Sequence, residues 1–286
     1  MRLTTKIITS IILSIFILSL LHIIAYSFTD RKNFKWPFTG HSIKLPQTDR
    51  TGMNIKPYKV IVLESEESIY SYYFANENEG LFIQPAPTSD EENKLFIPEV
   101  LNDFITTKTN NDTLTVKINF DELMEKYGTI DEALKKCQIS DTRYGISVSG
   151  FNLYLHTSNV NVINTLNDLQ TRISNIKAES IKIYSTGDVV IDSCKVNMIE
   201  PVLEPSYRKL TIENSSIKML NLDLDRMGTW NISNCNIETS NFTGSRRYNN
   251  ITLSQPEMFG RINWLPKNKD AELHITLKGD PAQIRL

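Results

Sequence analysis

Apolar residues between Leu210 and Gly244 fall on a fixed beat. Read in fives, the third position is apolar each time: Ile212, Ile217, Leu222, Met227, Ile232, Ile237 and Phe242. An α-helix cannot hold such a stripe on one face, because five residues at about 100° each advance about 500°. A flat strand repeats every second residue and fails too. A chain that turns a corner every few residues keeps the stripe inside. The pattern therefore predicts a mainly β protein, a right-handed parallel β-solenoid (β-helix) whose inward residues stack from coil to coil. Ile212, Ile232 and Ile237 are expected to be buried.

A longer spacing overlies the short one. Ile191, Ile212 and Ile232 are 21 and 20 residues apart, and Leu253 follows at 21. Around them VVIDSCKV, LTIENSSI and WNISNCNI superimpose. Upstream, Leu153, Leu155 and Val160 fit the same template. The section Ile163–Ile176 suits either a short helix or another coil. Ala271–Lys278 alternates and is expected to close the end, since terminal repeats must cap a stack. Cys194, Ser215 and Cys235 share one column. Coils about 4.8 Å apart place the two cysteines roughly twice that distance from each other. A disulfide needs Cα atoms within about 7 Å, so the pair is expected to be unbonded. Ser193, Asn214 and Asn234 align as a polar ladder at a turn.

Before the repeats, Tyr58–Leu63, Ser71–Phe74, Leu81–Gln84, Lys94–Ile97 and Thr113–Asn119 read as strands, with a turn at Asn110-Asn111-Asp112. Asp121–Tyr127 and Ile130–Cys137 read as short helices. Gly128 ends the first, and Thr129-Ile130-Asp131-Glu132 is a capping box for the second. The acidic residues at these helix starts serve the dipole and the cap. Residues 57–286 are thus expected to form one extracytoplasmic solenoid domain. Its N-terminal strands and short helices fill 57–150, and its repeat coils fill 151–286.

The stretch 30–56 shows no apolar period and reads as a linker, with Trp36 and Phe38 resting at a membrane surface. Ahead of it, Arg2 and Lys6 precede Ile7–Tyr26, a run of 20 residues without a charge. That length spans a bilayer core. It exceeds the roughly 7–15 apolar residues of a cleavable signal, although Ala25-Tyr26-Ser27 resembles a cleavage site. Residues 1–29 are read as a single-pass transmembrane anchor or uncleaved signal segment, with the amino terminus inside and the domain in the periplasm or at the cell surface. His22 fits as a tolerated polar residue near the outer interface.

The formal net charge of -2 argues against a nucleic-acid partner, which wants a basic face. Arg246–Arg247 reads as solvated surface. Three cysteines (Cys137, Cys194, Cys235) make no disulfide framework, and four scattered histidines give no zinc spacing. No GxSxG, Walker loop, HExxH or GxGxxG occurs. Asp223 and Asp225 alternate with Leu222 and Leu224, so both are expected outward on one face. Some β-helix enzymes cleave acidic polysaccharides with such carboxylates, but paired outward acids mostly solvate a surface. No catalytic, cofactor-binding or metal residue is assigned.

Together these segments carry a resemblance. A membrane or export segment precedes YKVIVLE, then a turn with NDTLTVKI, then a solenoid entered through Ser185-Thr186-Gly187-Asp188-Val189-Val190. The combination resembles the bacterial head GIN domain (putative auto-transporter adhesin) family over roughly residues 58–280. Residues 210–244 also resemble pentapeptide-repeat proteins. The first resemblance implies an envelope β-solenoid with an adhesive role, and neither supplies a catalytic motif. Three functions fit: a non-catalytic module binding an envelope or extracellular polymer or protein, a carbohydrate-active β-helix enzyme, or an envelope protein acting through assembly.

Overall fold

The two-sided character of the repeats follows from their strand lengths. The computed structural model describes residues 42–65, 70–74, 79–129, 144–165, 169–204 and 208–278. The first part holds β1 (Ser42–Lys44), β2 (Arg50–Asn54), β3 (Val60–Ser65), β4 (Tyr70–Phe74), β5 (Gly80–Gln84) and β6 (Lys94–Pro98). There follow β7 (Ile105–Asn110), β8 (Thr113–Ile118), helix α1 (Phe120–Tyr127), β9 (Gly128–Thr129), β10 (Tyr144–Ser149) and β11 (Asn152–His156). The repeats supply β12 (Val162–Thr165), β13 (Thr171–Ser174), β14 (Lys177–Ser185), β15 (Val189–Asp192), β16 (Lys195–Leu203) and β17 (Lys209–Glu213). They continue with β18 (Ser216–Asp223), β19 (Thr229–Ser233), β20 (Asn236–Gly244), β21 (Tyr248–Leu253), β22 (Phe259–Pro266) and β23 (Glu272–Leu277).

Each repeat contributes one short and one long strand, and the strands stack in parallel into a β-solenoid of about five turns. One sheet runs β19-β17-β15-β13-β5-β11-β6-β2, and the other runs β22-β20-β18-β16-β14-β12-β3-β8-β7. Ile83, Ile173, Ile191, Ile212 and Ile232 stand in one register column. The described parts of the section Ile163–Ile176 hold β12 and β13, strands of a coil and not a helix. Alternate residues of both sheets point inward, and Ile83, Ile163, Ile173, Ile183, Ile191, Ile199, Ile212 and Ile237 are fully buried.

The five-residue beat has a specific origin. Inward residues run Leu210, Ile212, Ser215, Ile217, Leu220, Leu222, in steps of two and three. Two is the strand alternation. The first step of three spans the corner at Glu213-Asn214. The second spans a bend at Lys218-Met219, where both side chains point out. That bend stacks from coil to coil, since the register skips Glu179 and Asn197, then Lys218 and Glu238, then Gly260. A Cβ on Gly260 would stand 2.9 Å from the Glu238 carbonyl, so the last bend requires glycine. The corners put Asn175, Ser193, Asn214 and Asn234 at φ 59°, 55°, 52° and 51°, left-handed values that Asn tolerates best outside Gly. The expected ladder forms there: Asn214 Nδ2 donates to Asp192 Oδ1 at 3.0 Å, and Asn234 Nδ2 to Asn214 Oδ1 at 3.4 Å. A second ladder, unforeseen in the repeats, joins Asn221, Asn241 and Asn263 through two bonds of 2.8 Å.

One core expectation needs correction. Ile212 and Ile237 are fully buried, but Ile232 is half-buried. β19 is the last strand of its sheet, so no further strand covers it.

The amino-terminal end of the stack is closed. There β6 and β7 run antiparallel to their neighbours, and β7–β8 turns at Asn111 and Asp112, both with positive φ, the two-residue type I′ signature. A four-stranded sheet, β4-β10-β1-β9, and α1 pack beside it over Phe120 and Phe151, whose rings lie 5.5 Å apart. Asn119 caps α1 by accepting from the Glu122 amide at 3.1 Å, and Asp121 accepts from Tyr72 at 2.7 Å. Gly128 ends the helix as expected, because a Cβ there would meet the Met124 carbonyl at 2.4 Å. Residues 42–56, expected within the linker, contain β1 and β2 instead. Their pairing partners lie far along the chain, at Ser147 and Pro98, and Ile43 is fully buried. Ile7–Tyr26 and Ile130–Cys137 fall outside the described residues. Among the described residues no helix is long and apolar enough to cross a membrane.

The Ser-x-Gly-Asp segment acts as a fastening. The buried Ser185 hydroxyl accepts from the Thr165 hydroxyl at 2.9 Å and from the Gly187 amide at 3.1 Å. The Asp188 carboxylate accepts from the Lys209 amide at 2.9 Å, tying this corner to the next coil. Replacing Ser185 by alanine leaves two buried donors without their acceptor. The expected loss is about 1–3 kcal/mol of unfolding free energy, read by urea denaturation. An unchanged midpoint would show that the fastening carries no stability.

Candidate binding site

Asp223 and Asp225, the acids singled out from the sequence, meet at one corner of the late coils. Lys267 bridges them, its ammonium 2.6 Å from Asp223 Oδ1 and 2.9 Å from Asp225 Oδ2. Arg226 pairs with Glu204 at 3.0 Å. The Asp225 carboxylate also accepts from the Ser245 amide at 2.9 and 3.0 Å. Partial burial alone would raise its pKa. The Ser245 amide and the Lys267 ammonium outweigh that and hold the carboxyl below its usual value. The pair is thus an anchored anion cluster, partly compensated by Lys267, that fastens the corner at Ser245 to the coil before. Its contribution is full at neutral pH and is lost as pH falls through the depressed pKa.

The other candidates are engaged structurally. Cys194 and Cys235 are free and buried, and burial pushes the Cys194 thiol up to about 11. The Cys194 amide donates to Ser215 Oγ at 3.0 Å within the expected column. His156 packs against Phe96, with Glu91 3.0 Å from Nδ1 and Gln84 3.2 Å from Nε2. The neighbour at Nε2 is an amide, not a hydroxyl or thiol. Phe82 and Tyr154 stack at 4.8 Å on the outer face, and Arg50 covers the free side of Tyr154 at 4.0 Å. Their ring faces are already occupied. Among the described residues no group of three or more His, Cys, Asp or Glu side chains is placed to hold a metal ion.

Sequence reasoning missed the feature beside that corner. The short-strand sheet stops at β19, and β21 pairs only with β23. The long-strand sheet continues across the same step through β20 and β22. A seam is left between β19 and β21. Two changes in sequence account for it. Trp230 stands in the inward column that holds Thr171, Val189 and Leu210, so an indole fills space given to smaller groups in the coils before. The next corner is longer by the 3₁₀ turn Pro256–Met258. The corner amides of Asn175, Ser193 and Asn214 reach backbone carbonyls of the following coil, whereas Asn234 reaches only the Gln255 side chain, at 3.5 Å.

The seam holds a pocket of about 220 Å³. Its exposed lining is mainly polar, with groups from Arg246, Tyr248 and Asn250, and Met227 and Ile251 lie buried behind it beside Leu224 and Trp230. A smaller hollow of about 40 Å³ continues past Trp230 toward Ile232 and Met258. Tyr248 is 55% exposed at the rim. Among the described residues the Trp230 indole N–H, the Tyr248 hydroxyl and the Asn250 amide have no hydrogen-bond partner. Arg246 is held loosely, 4.0 Å from Asp225 Oδ1 and 3.5 Å from the Asp225 carbonyl. Arg246, expected to be plain solvated surface, is the charged residue of the lining.

No protein-family model and no curated protein matches the sequence. Among solved structures, the chain is similar to a "putative adhesin" from Parabacteroides merdae at 9% identity and a TM-score of 0.47, over 82% of this chain and 83% of that one. A "putative adhesin" from Bacteroides fragilis aligns at 12% identity and a TM-score of 0.37, over 83% and 97%. A "putative lipid binding protein" from Parabacteroides distasonis aligns at 11% and 0.36, over 83% and 96%.

Proposed function

We propose that this protein is a membrane-anchored module of the cell envelope that binds an extracellular polymer or protein without transforming it. The observation that supports the reading is the seam pocket. Among the described residues its Trp230, Tyr248 and Asn250 groups are unengaged, and the carboxylates nearest it are tied to Lys267 and a backbone amide. A glycosidase of the two-carboxylate type needs one carboxyl held protonated near neutral pH, and Asp225 is shifted the other way. The uncharged run Ile7–Tyr26 supplies the anchor, with the solenoid on the extracytoplasmic side.

The full chain should remain in the membrane fraction through an alkaline carbonate wash, and membranes carrying it should retain envelope polymer or protein in pulldowns. Release by the wash refutes the anchor. Retention no greater than that of empty membranes refutes the binding role.

A further inference from the structure

We infer that the seam pocket between β19 and β21 is a subsite for a carboxylate-bearing sugar ring, one unit of an acidic polysaccharide. This rests on the binding-module reading and gives it a ligand class. The pocket lining contains one charged side chain, Arg246, and no carboxylate. The nearest acid, Asp225, takes its strong contacts from Lys267 at 2.9 Å and the Ser245 amide, and Arg246 meets it weakly, at 4.0 Å to Oδ1 and 3.5 Å to the Asp225 carbonyl. The Arg246 side chain is 59% exposed, so a ligand carboxylate can compete for it. A guanidinium in that state fits the planar, two-oxygen geometry of a carboxylate.

The remaining lining suits a polyhydroxylated ring. Most of the exposed lining is polar, with Met227 and Ile251 buried beneath it, and Trp230 and Tyr248 add aromatic surface, Tyr248 bordered by Arg247 at 5.4 Å and His274 at 5.7 Å. The Trp230 N–H, the Tyr248 hydroxyl and the Asn250 amide are spare hydrogen-bonding groups around it. The volume of about 220 Å³ lies below the roughly 300–1,000 Å³ of sites for larger ligands. It admits one ring. Tyr248, 55% exposed, stands where the neighbouring unit of a chain would leave the pocket.

The test uses the full chain in detergent micelles and isothermal titration calorimetry. Short galacturonic-acid oligomers are compared with galactose oligomers of equal length and with free galacturonate. The acidic oligomers should bind at least about tenfold more tightly than the neutral ones. They should also bind more tightly than the free acid, which separates a polymer source from a free one. Arg246→Gln should remove the preference for acid, and Tyr248→Ala should weaken both oligomers about tenfold. Neither substitution should shift the melting temperature, because both side chains are largely exposed. Equal affinity for acidic and neutral oligomers, no binding of either, or unchanged affinity in Arg246→Gln overturns the proposal. If both variants still retain envelope polymer or protein in the membrane pulldown as wild type does, this subsite fails and the binding role stands.

Discussion

Phe242→Ala is expected to lower the unfolding free energy by about 3–5 kcal/mol, the range for deleting a buried aromatic side chain. Phe242 is fully buried and stands directly between Leu222 and Trp264 in the inward register of the long-strand sheet. The edge of Trp230 meets it at 5.5 Å with the ring planes at 83°. Its removal opens a void between two coils whose ladders hold the backbone in place, so collapse into the space is limited. Guanidinium denaturation should show a lower midpoint with an unchanged slope. A loss below about 1 kcal/mol would mean that the coils close over the gap and the column is not tightly packed.

The second large effect is a contrast within one column. Ile212→Ala should cost about 2–5 kcal/mol, because Ile191 and Ile232 flank it directly and it is fully buried. Ile232→Ala should cost less, because part of its side chain is exposed. β19 has a strand on one side only, and Ile232 faces the small hollow beyond Trp230. The two variants measured side by side in one denaturant series decide the matter. Equal losses would show that the seam is closed in solution.

The repeats were legible in the sequence because inward positions recur in steps of two and three whatever the outward residues are. Ile191, Ile212 and Ile232 needed nothing more than their spacing. β1 and β2 were not legible. They are short, RTGMN is largely exposed, and their partners lie about a hundred or fifty residues away, so no local period marks them. The pocket was hidden for a different reason. Leu253 keeps the 21-residue spacing from Ile232 although β21 has left the ladder, and hydrophobic periodicity does not register a missing hydrogen-bonded pair. The visible hint was one of size: Trp230 in a column of Thr, Val and Leu. Asp223 and Asp225 were legible as neighbours on one face. Lys267, more than forty residues on, was not. The resemblance drawn from Ser185–Asp188 pointed to residues whose visible work is to fasten a corner.

The ladder that passes from β20 to β22 has no counterpart between β19 and β21. The last coil therefore hangs from the rest of the stack by one row of backbone bonds where every earlier repeat coil has two. Such a unit can swing open or melt at less free energy than the whole protein. The wall that swings is the wall of the pocket. The proposed sugar unit, held between Trp230 on one side and Arg246 and Tyr248 on the other, would add an attachment beside the ties that Lys267 and Ser245 make to Asp225. Its binding energy would then become stability of the terminal coil, and the loose end a clasp made firmer by what it holds.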